Sequence, residues 1–529
     1  MMRAWVAAVL LVLSGCNGSA DDAAAPPSFL RLADQDDIPT LDPARGYDTA
    51  SWQFEDMLFN TLVDYDDEAQ LVPELATRWE VGDDDRTYTF HLRDNVRFSN
   101  GRPVVAADVR FAIERVLTPH TRSPGAEFFR GIDGAEACTD TGCRVAGIDT
   151  PDDTTIRFVL HDIDPLFLHK LAMPFAAALP AEEVKRWGED FGRHPVGSGP
   201  FALQEWLPGQ RLVMVPNPHY FVPDVPRLAG VLRLVGVNEE LEWMKYAAGQ
   251  IDISAIPPAE FPRVIREPRV QPLLRHVTTL RTNYLGMNCQ MAPFTDRRVR
   301  QAMNYAVNKE KLLRLINNRG VVARGFLPPN MPGYNPAVVG YPFDPTRARQ
   351  LLVEAGLANG FATTLWVRSD ETTLRLAQSV QQDLAEVGVQ IQIKALAWGP
   401  FLEAVRSADV PLFSLGWEAD FPDPSNFLEV LLHSKYIGTN NNTNYHNPEV
   451  DRLLDTAAHT VDQAERFALL QRAEEIAIAD APWVFLFHPA SYAIVQPRVR
   501  DFHLHPLRPA RLEHVWLDDT VDAGEAGPG

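Results

Sequence analysis

The chain has 529 residues, 46% of them hydrophobic, and a formal net charge of −21 from 70 acidic and 49 basic side chains. That length exceeds a single hydrophobic core and points to two or three domains of folded globular protein. The acidic balance argues against a nucleic-acid partner and against adsorption on an anionic membrane. No stretch after the first dozen or so residues approaches the ~18 uninterrupted apolar residues of a spanning helix.

In chain order, Arg3 precedes an apolar run over residues 4–12, followed by Leu13, Ser14, Gly15 and Cys16. A charged start, a short apolar core and small residues at a cut make a secretion signal over residues 1–15, too short to span. The Cys at the cut resembles the lipobox of bacterial lipoproteins, which implies a lipid on Cys16 and work outside the cytoplasm. An ordinary signal with an incidental Cys is the alternative. Residues 16–28, rich in Gly, Ser, Ala, Asp and Pro, read as a flexible tether.

Over residues 86–93, Tyr88, Phe90 and Leu92 alternate with polar residues, the pattern of a half-buried strand, and Val96 and Phe98 continue it. Asn100-Gly101 marks a turn, and a helix follows with Val109, Ala112, Ile113 and Val116 on one face. Residues 154–160 read as a strand. Pro195 to Pro200 frame a Val-Gly-Ser-Gly loop that lacks the Lys-Ser/Thr ending of a phosphate loop and reads as a tight structural turn. Residues 201–206 and 211–215 read as paired strands.

From about residue 280 helices and strands alternate. Asp296 opens a helix facing inward with Val299, Ala302, Met303 and Ala306. Asp344-Pro345 opens another that carries Ala348, Leu351, Leu352 and Ala355 and ends at Gly356. A helix over 371–387 with Leu374, Ala377, Leu384 and Val387 precedes Gly388 and a strand of Val389, Ile391 and Ile393. Asn447-Pro448 and Asp462 each begin a helix, and residues 484–487 form a short, wholly apolar strand. The fold class is α/β.

Cys138 and Cys143 enclose a turn-forming tetrapeptide, so in an oxidising compartment they read as a small-loop disulfide. A metal site is the weaker reading, because the spacing is wrong for a knuckle and no His lies nearby. Cys289 is left unpaired as a buried core residue. His503 and His505 read as two exposed side chains on a strand. Protease, hydrolase, nucleotide and dinucleotide motifs are all missing, so neither an enzyme nor a cofactor is expected. One stretch stands apart. An apolar strand over residues 410–415 runs into Gly416, Trp417, Glu418, Asp420, Phe421 and Asp423. Ligands sit at the carboxyl ends of strands in α/β sheets, where an Asp beside Trp417 would hold a cation or a hydrogen-bond donor. A Pro-stiffened loop whose Asp residues cap turns is an equal reading.

The chain resembles the family 5 extracellular solute-binding proteins, the oligopeptide, dipeptide and nickel receptors of ABC importers. The resemblance rests on Leu41-Asp42-Pro43, the run from Leu71 to Trp79, Tyr88 to Arg93, Val96 to Gly101, Ala107 to Phe111, Pro195 to Phe201, Pro293 to Ala302 and Asp344-Pro345. It implies a two-lobed, periplasmic-binding-protein type II-like fold with an extra domain inserted in the first lobe. Lobe I would take residues 29–280 and 488–520, with the insertion at about 62–190. Lobe II would take 281–487, and 521–529 would be a disordered tail. Crossings near 279–283 and 487–492 would make the hinge. The resemblance also places Asp420 against a peptide's α-amino group, with Trp417 walling the pocket. Tyr445 and Tyr47 are weaker candidates for its lining, each with packing as the stronger reading. Some members carry an Arg for the peptide carboxylate where this chain has Ser414; Arg368 and Arg406 are the substitutes at hand. The implied protein is a monomeric lipoprotein that delivers peptides or peptide-like solutes to a permease. A nickel chelate, haem, sugar or opine is the alternative ligand, and a secreted hydrolase or a sensor or chaperone role the more distant readings.

Overall fold

The computed structural model describes residues 28–520, apart from 36, 141, 408, 508–510 and 519. The expected signal, Cys16 and the C-terminal tail lie outside the described residues. The first lobe begins with strand Phe29–Asp34, which pairs in parallel with Gly230–Val235. Antiparallel strands Arg211–Pro216 and Phe201–Leu207 complete a four-stranded sheet. Between its first strand and the rest lies the inserted part. Here Ala76–Val81, Thr87–Leu92, Thr155–Val159 and Ile148–Asp152 form a second antiparallel sheet. Tyr88, Phe90 and Leu92 alternate into its core, and helix Ala106–Leu117 covers it with Val109, Ala112, Ile113 and Val116, all buried. The expected 195–200 turn is structural. A Cβ on Gly197 or Gly199 would collide with the backbone of Leu58, so backbone can meet backbone only at glycine.

The second lobe is built on Arg281–Met287, flanked by Leu412–Glu418 and by the first half of Trp483–Val495. Phe361–Arg368 and Val389–Leu396 extend this sheet in parallel, with helices packed on it. The helix starts read from the sequence are observed. Asp296, Asp344, Asn447 and Asp462 each cap a first turn through the side chain.

Three expectations are corrected. The apolar strand over 484–487 is the start of a 13-residue strand, Trp483–Val495. Its first half pairs inside the second lobe and its second half with Leu274–Thr278 and Ile253–Ala255 of the first. Apolar patterning is interrupted from His488 to Ser491 and resumes at Tyr492, while backbone pairing continues across the junction. His505 is buried, with Nε2 3.0 Å from the Asp66 carbonyl, and neither it nor His503 lies in a strand. Cys289 is half-buried, and burial pushes its thiol up to about 11.

Candidate functional site

Between the lobes lies a cavity of about 1010 Å³. Tyr47, Phe128, Leu166 and Lys170 line it from the first lobe; Arg406, Trp417, Asp420 and Asn426 line it from the second. The second-lobe wall is the loop that follows strand Leu412–Glu418. Gly416 sits opposite Asn283 on the neighbouring strand, and a Cβ there would strike the Asn283 and Arg281 side chains. The chain then turns through two prolines into helix Ser425–Leu432. Asp423 anchors this turn. Its carboxylate takes two hydrogen bonds from the Arg466 guanidinium and two from Ser425, at 2.9 Å from the backbone N–H and 2.6 Å from the hydroxyl. Burial alone would raise its carboxyl. Arg466, with His169 and Ser425, holds it below the usual range.

Asn426 is the keystone of the loop. Its Oδ1 accepts from Trp417 Nε1 and from the Asp420 backbone N–H, both at 3.1 Å. Its Nδ2 donates to Asp420 Oδ2 at 3.1 Å. The other oxygen of Asp420 accepts from the Tyr47 hydroxyl at 3.0 Å, a contact between the lobes. Tyr47 reaches it from a cluster of Trp52, Phe175 and Phe128, with ring centroids at 5.5, 5.5 and 6.4 Å. Burial raises the Asp420 carboxyl above its ordinary range, against the opposing hydrogen bonds from Asn426 and Tyr47. The next residue, Phe421, is 4% exposed because its ring lies in the apolar core of the inserted part, 5.8 Å from the His169 ring. Burial depresses His169, against the opposing pull of Asp423 and Asp164.

The structure therefore brings Asp420, Trp417 and Tyr47 together. It leaves Tyr445 out. That ring is 2% exposed in the second-lobe core, and its hydroxyl donates to Asp480 at 2.7 Å. The loop around Tyr445 turns inward because Asn441 ties it down from beneath, accepting from the Tyr445 N–H and donating to its carbonyl. Ser414 and Arg368 do not line the cavity either; Arg368 lies over the Trp398 ring at 5.6 Å and 3.5 Å from Asp370. Arg406 does line it. Cys138 and Cys143 are joined as a disulfide in the inserted part and pack against its core. Asn426 and Phe421 were missed as functional residues. Asn426 had only its place at the start of a helix to mark it, and Phe421 only its place beside Asp420.

The cavity carries an unbalanced charge pattern. Among the described residues lining it, Glu127 pairs with Arg130, Asp164 with Lys170, Glu418 with Arg281 and Glu429 with Lys435. Only Asp420 has no basic partner; both its hydrogen-bond donors are neutral. A half-buried carboxylate without a counter-charge gains most from a ligand cation, because the medium around it screens poorly.

Comparison with known proteins agrees with this architecture. The model of the bacterial extracellular solute-binding proteins, family 5 middle region, matches residues 70–439. Heme-binding protein A of Haemophilus influenzae is 31% identical over 473 residues, 85% of each chain. The dipeptide-binding protein of Escherichia coli is 30% identical over 487 residues, 87% of this chain and 89% of that one. Among solved structures, the ABC transporter-associated periplasmic binding protein DppA from Helicobacter pylori, in complex with peptide STSA, superimposes with a TM-score of 0.77 at 28% identity. It covers 92% of this chain and 98% of that one. The clavulanic acid biosynthesis oligopeptide binding protein 2 gives 0.85 at 27% identity, over 92% and 95% of the two chains. With a two-lobed α/β fold, an inter-lobe cavity and a family match across most of its length, the chain belongs to the bacterial extracellular solute-binding proteins of family 5.

Proposed function

We propose that this protein is the extracytoplasmic receptor of an ABC importer and captures a peptide or peptide-like solute by its free amine. It performs no chemistry on the ligand. The observation that carries the reading is Asp420, the one carboxylate among the described cavity residues that lacks a base. An ammonium docked there would form a charge-assisted hydrogen bond that every free peptide can make. The names of the dipeptide and oligopeptide relatives support the ligand class.

Capture would couple to closure through Tyr47. Its hydroxyl and Asp420 sit on opposite lobes, so their hydrogen bond exists only when the lobes meet. An arriving ammonium stabilises the ionised carboxylate, and an ionised acceptor roughly doubles the strength of a hydrogen bond. The ligand thereby favours the closed state over the open one, which is the requirement for a population shift. We place the lobe boundaries at 280/281 and 487/488, within two residues of the point where Trp483–Val495 passes from pairing with Gly320–Val322 to pairing with Leu274–Thr278. The separate sheet of Ala76–Val81, Thr87–Leu92, Ile148–Asp152 and Thr155–Val159 supports an inserted part at about 62–190.

We also propose, on the sequence pattern alone, that residues 1–15 are a signal and that Cys16 carries the lipid that tethers a monomeric receptor near its permease. Among the described residues no helix is long and apolar enough to cross a membrane. A second reading, a tetrapyrrole ligand, is favoured by the heme-binding relative and by the apolar flank of Leu454, Ala457 and Leu470 in the cavity. Native mass spectrometry of freshly purified protein separates the readings. Retained masses in the peptide range are expected; a heme mass with a Soret band, or no retention of any offered peptide, would overturn the peptide reading.

A further inference from the structure

One titratable ring lies in the seam between the lobes and takes no part in the ligand site. His169 sits on the helix Phe167–Leu171 of the inserted part. Tyr65 of the same lobe stacks on it with ring centroids 5.9 Å apart, and the Tyr65 hydroxyl stands 2.8 Å from Nδ1. Phe421 of the second lobe stacks on it as well, at 5.8 Å. The Tyr65 contact lies within one lobe; the Phe421 contact exists only when the lobes meet. The charged groups that act on the imidazole, among the described residues, are Asp164, Asp423 and Arg466. Asp164 belongs to the inserted part and is held by Lys170 at 2.5 Å. Asp423 and Arg466 belong to the second lobe and are hydrogen-bonded to each other. Each acid already has its base, so an imidazolium finds no free counter-charge in the closed seam. Burial accordingly outweighs the two acids and depresses His169. Parting the lobes takes Phe421, Asp423 and Arg466 away and admits water, which returns the ring toward the ordinary value of ~6.5.

We propose that His169 is an acid-operated release latch: a proton on its ring parts the lobes and unloads whatever the cavity holds. The proposal needs only two lobes that close on a ligand, and not the peptide reading. Its sign follows from linkage. The open state binds the proton more tightly than the closed one, so falling pH draws the equilibrium open. The effect has a ceiling. A closed seam that took no proton at all would let the open-to-closed ratio rise about thirtyfold between pH 7.5 and pH 5. Asp420 pulls the other way. Burial in the closed seam raises its carboxyl, so a proton there favours closure of the cargo-free protein. Opening on acidification therefore cannot come from Asp420.

The test uses cargo-free protein carrying Cys289→Ser, with one spin label on each lobe, and reads the inter-lobe distance by double electron–electron resonance at pH 7.5 and pH 5. With His169 present, the open-to-closed ratio is expected to rise by about three- to thirtyfold on acidification. His169→Gln keeps a polar side chain beside Tyr65 but takes no proton, and its ratio is expected to stay level or fall. Phe421→Ala keeps His169 but removes the ring that closure lays against it. That variant is expected to be more open at both pH values and to respond less to acid. A level or falling ratio with His169 present overturns the latch without recourse to any variant. An equal rise in His169→Gln, or an undiminished one in Phe421→Ala, overturns it too. Each of these results leaves amine recognition at Asp420 standing.

Discussion

Asp420 takes one hydrogen bond from each lobe and has no cationic partner, and its chemistry follows from that position. Asp420→Ala is expected to weaken peptide binding by about 2–5 kcal/mol, measured by calorimetry, because the peptide ammonium is then buried unpaired. The pH dependence has a definite sign. The carboxyl is raised in the free protein and lowered when an ammonium docks, so the complex binds fewer protons. Affinity should therefore rise with pH through the raised titration of Asp420 and fall again once the ligand amine loses its proton near pH ~8. Titration in two buffers of different ionisation enthalpy should show a proton released on binding at mildly acidic pH. Asn426→Asp replaces the donor at 3.1 Å with a second acid and should lower affinity more than Asn426→Ala. Equal losses would remove the keystone role. Asp420 and Trp417 were legible in the sequence because a strand end, a glycine and an unusual density of aromatic and acidic residues coincide there. Tyr47 was a weak candidate, since the partner that gives it meaning lies 373 positions away. For Tyr445, packing, the stronger of its two sequence readings, is what is observed, because Asn441 and Asp480 consume the polar groups and bury the ring.

At the scale of elements, the strand Trp483–Val495 matters most, since it is a structural member of both lobes. His488 lies where it leaves the second lobe. It is 1% exposed, with Nδ1 3.0 Å from the Thr282 hydroxyl and 3.2 Å from the Arg281 carbonyl. The Thr282 hydroxyl donates to the Phe326 carbonyl at 2.7 Å, so the imidazole serves as a donor. Burial depresses His488 to about 4. A depressed folded-state value contributes stability that is full above the unfolded value of ~6.5 and is lost as pH falls through the folded one. Wild type should therefore lose about 3 kcal/mol more than His488→Asn between pH 7 and pH 4 in urea unfolding. Parallel losses would place the acid sensitivity elsewhere. Helix starts were readable from local signals alone, because an Asp or Asn cap and a following proline act within one turn. The length of the shared strand was not, because its second half is defined by partners more than two hundred residues distant and His488, Pro489 and Ser491 interrupt the apolar pattern between its two halves.

At the scale of the whole molecule, the Tyr47–Asp420 hydrogen bond and the Phe421 ring seated in the inserted part join the lobes beside the cavity. Phe421→Ala should lower affinity for every ligand by about 1.5–3 kcal/mol, the value of burying one aromatic ring, because that burial is available only when the lobes meet. Competition assays on two unrelated peptides should show equal losses; a loss confined to one peptide would make Phe421 a ligand contact instead. The two-lobed plan was legible from the run of family motifs, while the closure contacts were not, since neither Phe421 nor His169 carries a local pattern. The decisive measurement is calorimetry on cargo-free wild type with one peptide in two forms, amine free and amine acetylated. The free form is expected to bind at least about 2 kcal/mol more tightly, with that difference abolished in Asp420→Ala. Equal affinity for the two forms on wild type would contradict amine recognition at Asp420.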